Sequence, residues 1–233
     1  MAEDDDRRPA PPPPASPGTP PTGRGRVLRE DSYDVGRLLA LSDGVFAIAM
    51  TLLVLGIPVP QLTDPTDAGL QNALRHVLPD VGSFALSFVL VGTYWMAHRR
   101  LLKGVVSTDA GLVWLNLFML LLVCMVPFTA ALLSRYGSLA TAVIIYAANL
   151  GLLGLSSLVL RLKSWPLTGV PPSRYERQGA VITSLVGVAV FAISIPIALR
   201  SPSLGEYSWL LLLVVGVIFG RRSRNLERRR PRR

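Results

Sequence analysis

The sequence predicts an all-α membrane protein of six transmembrane helices with both termini on the cytoplasmic side. Three observations lead there. Half of the 233 residues are hydrophobic and only 17% are charged, against roughly 25% charged in a soluble domain. The apolar residues gather into runs near or above the roughly 17–25 residues that about 30 Å of hydrocarbon asks of a helix. Lys and Arg crowd alternate connections between those runs, and basic residues near span ends stay on the cytoplasmic side.

Residues 1–34 read as a disordered, Pro-rich cytoplasmic tail, with an acidic patch from Glu3 to Asp6 and then the run from Pro9 to Pro21, a composition that cannot build a packed core. No apolar stretch follows Arg7-Arg8 within signal-peptide reach, so the pair is not read as a leader. A six-helix transmembrane domain follows over 35–220. Its first span, 38–57, is ended by Pro58 and Pro60, which cannot continue a helix without losing backbone hydrogen bonds. The second, about 81–97, stops at His98-Arg99-Arg100. The third, about 110–133, has a candidate kink at Pro127, and the fourth, about 139–160, is closed by Arg161 and Lys163. The fifth, 180–199, carries Pro196 near its end. The sixth, about 204–220, is the shortest, with Tyr207 and Trp209 placed as interfacial aromatics. Residues 221–233 form a basic cytoplasmic tail.

Orientation follows from the connections. One side has only Arg75, Arg135 and Arg200, one per loop, and the rest of the 24 Lys and Arg residues lie on the other. That bias puts the tails in the cytoplasm and the protein in the cell membrane. The net charge of +9 and the run from Arg221 to Arg233 suit anionic lipid headgroups at the basic tails, and nucleic acid is not expected as a partner. Cys124, the lone cysteine, lies inside the third span, which excludes an intramolecular disulfide and a thiolate metal site. His76 and His98 fall near opposite membrane faces, so they do not share a zinc ion. No HExxH, Walker A, GxGxxG or Gly-x-Ser-x-Gly pattern occurs. The expectation is of no enzyme, no cofactor and no resident metal.

The first span holds the most informative stretch, Arg37-Leu-Leu-Ala-Leu41-Ser42-Asp43-Gly-Val-Phe-Ala-Ile48-Ala-Met-Thr51-Leu52-Leu-Val-Leu55. Asp43 lies roughly 9 Å deeper than Arg37 at 1.5 Å per residue. A carboxylate at that depth is costly unless paired or facing water, which makes it a functional-site candidate; the plainer reading is that Ser42 and Asp43 tie helices together. Ile48, Leu52 and Leu55 fall along one stripe of the helix, bordered by Thr51. Such a stripe also serves helix packing.

These residues resemble the transmembrane protein 175 potassium channel family, whose signature on the first helix is Arg-x-x-x-Phe-Ser-Asp. Arg37, Ser42 and Asp43 match it, and Leu41 stands in place of the Phe. The likeness continues through Gly44 to Leu55, in Tyr94-Trp95-Met-Ala-His98-Arg99, and in Trp114-Leu-Asn116-Leu. It covers about 35–220, the last three spans in hydrophobic pattern only. The resemblance implies a bacterial-type channel of one six-helix unit per chain, assembled as a homotetramer around a central pore lined by first helices. It also implies potassium as the permeant ion, bound only in transit. By the same resemblance Ile48, Thr51, Leu52 and Leu55 line the constriction, and Arg37, Ser42, Asp43, Trp95, His98 and Asn116 form a polar network that supports the pore helix. A hydrophobic constriction can gate by dewetting. No Thr-Val-Gly-Tyr-Gly filter and no Arg ladder appears, so potassium rests on the family and voltage gating is not indicated. A secondary transporter and a non-transporting membrane scaffold remain as alternatives.

Overall fold

A computed structural model of the chain describes residues 23–63 and 65–209, with side chains from Val35 onward apart from residues 206 and 207. The first part of the expected N-terminal tail, most of the sixth span and the basic C-terminal tail lie outside the described residues. Those that are described form helices α1 (Gly23–Leu52), α2 (Asp67–Lys103), α3 (Ala110–Tyr136), α4 (Ala140–Ser164), α5 (Arg174–Ala198) and the short α6 (Pro202–Ser208), with 3-10 turns at Leu53–Gly56 and Trp165–Leu167. Among them, five segments are long and apolar enough to cross a membrane: Val35–Gly56, Asp67–Lys103, Ala110–Tyr136, Ala140–Leu167 and Arg174–Ala198. The chain is therefore a multi-pass, all-α membrane protein. Its one β-type pairing among the described residues is the isolated bridge between Val105 and Thr168.

Helix starts depart from the hydropathy reading where the first turns are polar. α1 begins at Gly23, inside the segment expected as a disordered tail, because no proline interrupts the chain between Pro21 and Pro58. α2 begins at Asp67 rather than near residue 81; the Thr66 hydroxyl accepts the Gly69 N–H at 3.1 Å, and Pro79 is accommodated inside the helix. α5 begins at Arg174 because Ser173 and Glu176 close a capping box, with bonds of 2.9 and 3.3 Å. In α3 the cap coincides with the apolar boundary: Asp109 Oδ1 accepts the Leu112 N–H at 2.7 Å.

The centre of the bundle is α4, which packs against α3 on one side and α5 on the other. Tyr146, Leu150, Leu153 and Leu160 are fully enclosed along it. A side chain at Gly154 would meet the Tyr94 hydroxyl at 3.0 Å and Val188 at 3.2 Å, so glycine there lets α2 and α5 approach. Hydrogen bonds add to the packing, as they must where no water satisfies polar groups. Ser87 and Tyr146 share one of 2.9 Å, and the Tyr94 hydroxyl donates to the Leu150 carbonyl at 3.1 Å. Toward the other end of the bundle, the Ser134 hydroxyl donates to Asp80.

Candidate pore helix and its polar anchor

α1, taken with the 3-10 turn that continues it to Gly56, has two unlike faces. Leu38, Ser42, Phe46, Ala49 and Leu53, spaced by four or three residues, are all buried. That spacing keeps them on one side of a 3.6-residue helix, and α1 packs there against α2 and α3. On the other side Ala40, Leu41, Gly44, Ala47, Ile48, Thr51, Leu52 and Leu55 are exposed. The exposures are 60% for Ile48, 44% for Leu52 and 76% for Leu55. No charged residue lies on this strip after Arg37.

The buried face is anchored by side-chain hydrogen bonds to two other helices. Ser42, fully buried, donates to the Leu38 carbonyl at 2.8 Å, and its oxygen accepts from Asn116 Nδ2 on α3 at 3.2 Å. Asn116 Oδ1 accepts from His98 Nε2 on α2 at 2.7 Å. That makes His98 Nε2 the proton-bearing donor, because a carbonyl oxygen can only accept. One residue along α1, Asp43 Oδ1 accepts the Trp95 indole N–H at 2.7 Å. Ser42 and Asp43 are neighbours on α1, and Trp95 and His98 lie one turn apart on α2, so the bonds form one cluster where the three helices meet.

Of the residues singled out from the sequence, Ser42, Asp43, Trp95, His98 and Asn116 come together in this cluster. Arg37 is exposed near the start of the apolar segment Val35–Gly56 and has an interaction of its own. Leu41, which replaces the aromatic of the motif, is half exposed on the open face, outside the hydrogen-bonded cluster. Thr51, exposed on the open side, donates its hydroxyl proton to the Ile48 carbonyl at 2.8 Å. Two members were missed. Phe46 is fully buried with its ring 5.6 Å from that of His98, and the Arg99 guanidinium lies 5.5 Å from the Trp95 ring. Phe46 follows Ser42 by one turn, a spacing that could have marked it.

The profile of the family described as endosomal/lysosomal potassium channel TMEM175 matches residues 37–127, which hold every member of the cluster. Over this stretch the chain is similar to the TMEM175 family. A potassium channel of Streptomyces collinus is 42% identical over 101 residues, covering 43% of this chain and 48% of that protein. A potassium channel of Chamaesiphon minutus is 43% identical over 106 residues, covering 46% and 52%. The matches thus span about half the length of these two relatives. In three dimensions the likeness reaches further. The crystal structure of a lysosomal potassium-selective channel TMEM175 homolog from Chamaesiphon minutus superimposes with a TM-score of 0.70 at 29% identity, over 82% of this chain and 98% of the other. The TMEM175 likeness in sequence is therefore concentrated on α1 to α3, and the likeness in fold extends beyond them.

Proposed function

We propose that this chain is the subunit of a potassium-selective cation channel, a homotetramer whose central pore is lined by α1. The observation that carries the reading is the open strip of α1, uncharged and continuous from Ala40 to Leu55, on a helix whose opposite face is bonded to α2 and α3. A strip on one helix encloses a path only when symmetry repeats it around an axis. Copies arranged with these strips inward would bring Ile48, Leu52 and Leu55 together over roughly 10 Å of pore at 1.5 Å per residue. A constriction of that length, walled by Ile and Leu, gates by dewetting, and the Thr51 oxygen offers a passing ion a ligand just beside it.

In this reading the cluster of Ser42, Asp43, Trp95, His98 and Asn116 holds α1 in register, with Arg37 at its cytoplasmic entrance. The protein is not an enzyme. It spans the cell membrane six times with both tails in the cytoplasm, where the basic residues meet anionic lipid. The matches to proteins named potassium channels support potassium as the permeant ion.

The test is flux from potassium-loaded and sodium-loaded liposomes carrying the purified protein, with Ile48→Asn alongside. The expected result is flux that favours potassium and that Ile48→Asn raises several-fold or makes less selective. No flux of either ion from folded, inserted protein would remove the function.

A further inference from the structure

Away from α1, at the basic end of the bundle, three arginines from three helices sit at one corner. Arg100 lies in the last turn of α2, Arg161 in the last turn of α4 and Arg177 in the first turn of α5. Trp165 links two of them: it follows Arg161 by one helical turn, and the Arg177 guanidinium lies 5.1 Å from the centre of its ring. The segments that follow Arg100 and Arg161 are joined by the Val105–Thr168 bridge and the Gly169 N–H to Gly104 carbonyl bond of 3.4 Å, which brings the two like charges to the same corner. Arg161 and Arg177 are both partly buried, and the Nε of each is enclosed with no hydrogen-bond partner.

Two carboxylates at this end, among the described residues, are committed elsewhere. Asp109 pairs with Lys163 at 2.9 Å and caps α3, and Glu176 closes the capping box of α5 and has a further partner. Among the described residues, none of the three arginines has a carboxylate partner. Enclosed guanidinium N–H groups without acceptors, held beside a like charge, are unfavourable for the protein alone. A tetrahedral oxyanion removes both penalties, since it accepts forked guanidinium bonds and neutralises the repulsion.

We infer that Arg100, Arg161 and Arg177, at the corner where Trp165 stacks on Arg177, form a binding site for a phosphate-type anion, either the phosphodiester of an anionic lipid headgroup or free phosphate. The site lies where apolar helices end, at the depth of headgroups. It is separate from the α1 strip and does not depend on the pore reading.

The experiment measures the melting temperature of the purified full-length protein in neutral phosphatidylcholine–detergent micelles. Phosphatidylglycerol is added in one arm and inorganic phosphate in the other. Wild type is expected to gain about 5 °C with phosphatidylglycerol. Arg161→Gln is expected to lose that gain, and Lys103→Gln, an exposed cation on the same end but outside the cluster, to keep it. An equal, saturable gain with millimolar inorganic phosphate, lost in Arg161→Gln, would uphold the site and give it a soluble anion. Equal gains in wild type and Arg161→Gln in both arms, or equal losses in Arg161→Gln and Lys103→Gln, would overturn it. If Arg161→Gln fails to fold, Arg177→Lys serves in its place: it keeps the charge and removes the fork, so the gain should fall to about half, and an undiminished gain would count against the site.

Discussion

Along the most apolar window of α4, 61% of the residues are buried inside the chain, against 28% along α1. α4 is wedged between α3 and α5, with Tyr146, Leu150 and Leu153 enclosed. α1 is bonded on one face and bare on the other, with large side chains at Ile48 and Leu55 left 60% and 76% exposed. Hydropathy treats the two helices alike. Their packing separates a helix that organises the bundle from one that is held firmly on one side and presents the other to something outside the subunit.

That contrast can be broken by substitution, and the largest effect should fall on α4. Tyr146→Ala removes an enclosed ring and the bond to Ser87, and should cost about 3 kcal/mol of stability. Leu52→Ala, on the bare strip of α1, should change stability by no more than about 0.5 kcal/mol. Thermal melting in detergent measures both, and similar losses would erase the distinction between the helices.

Asn116→Ala tests the bonded face of α1. It strands the buried His98 Nε2–H and removes the donor to Ser42, which keeps its own bond to the Leu38 carbonyl, and should cost about 1–3 kcal/mol. If the cluster holds α1 in place, cysteine labelling should find the normally buried Ala49 position opened by this variant. An unaltered melting curve would mean that apolar packing alone fixes the helix.

The smallest effect belongs to Asp109 at the head of α3. The hydrogen bond from Lys163 and then that from the Leu112 N–H hold its carboxyl below its ordinary 3.8. A depressed folded value contributes stability that is complete above the unfolded value and is lost as pH falls through the folded one. Melting temperature should therefore drop as pH falls below about 4, and Asp109→Asn should shrink that acid-side drop slightly. A larger drop in the variant would reverse the sign.

Much of this architecture was legible in the chain, and the departures have local causes. The third and fourth helices were expected near residues 110 and 139 and run from Ala110 and Ala140, because their boundaries coincide with abrupt changes in hydropathy. α2 and α5 start earlier because Thr66 and Ser173 cap polar turns that a search for apolar runs passes over. Residues of the anchor were singled out by likeness to a family, and spacing could not have paired Ser42 with Asn116, 74 residues away. Ser87 and Tyr146 left no trace for the same reason: each is an ordinary residue on its own helix, and their partnership exists only after α2 meets α4.

The central claim is that the bare strip of α1 faces water at a symmetry axis rather than lipid. In a Cys124→Ala background, Leu52→Cys and, on α5, Ile193→Cys would each be treated with a membrane-impermeant charged thiol reagent during flux from liposomes. Both positions are exposed in the subunit, at 44% and 59%. The account predicts that modification at Leu52→Cys blocks most of the flux and that Ile193→Cys is unaffected. Unimpeded flux through Leu52→Cys, with block at Ile193→Cys, would contradict it.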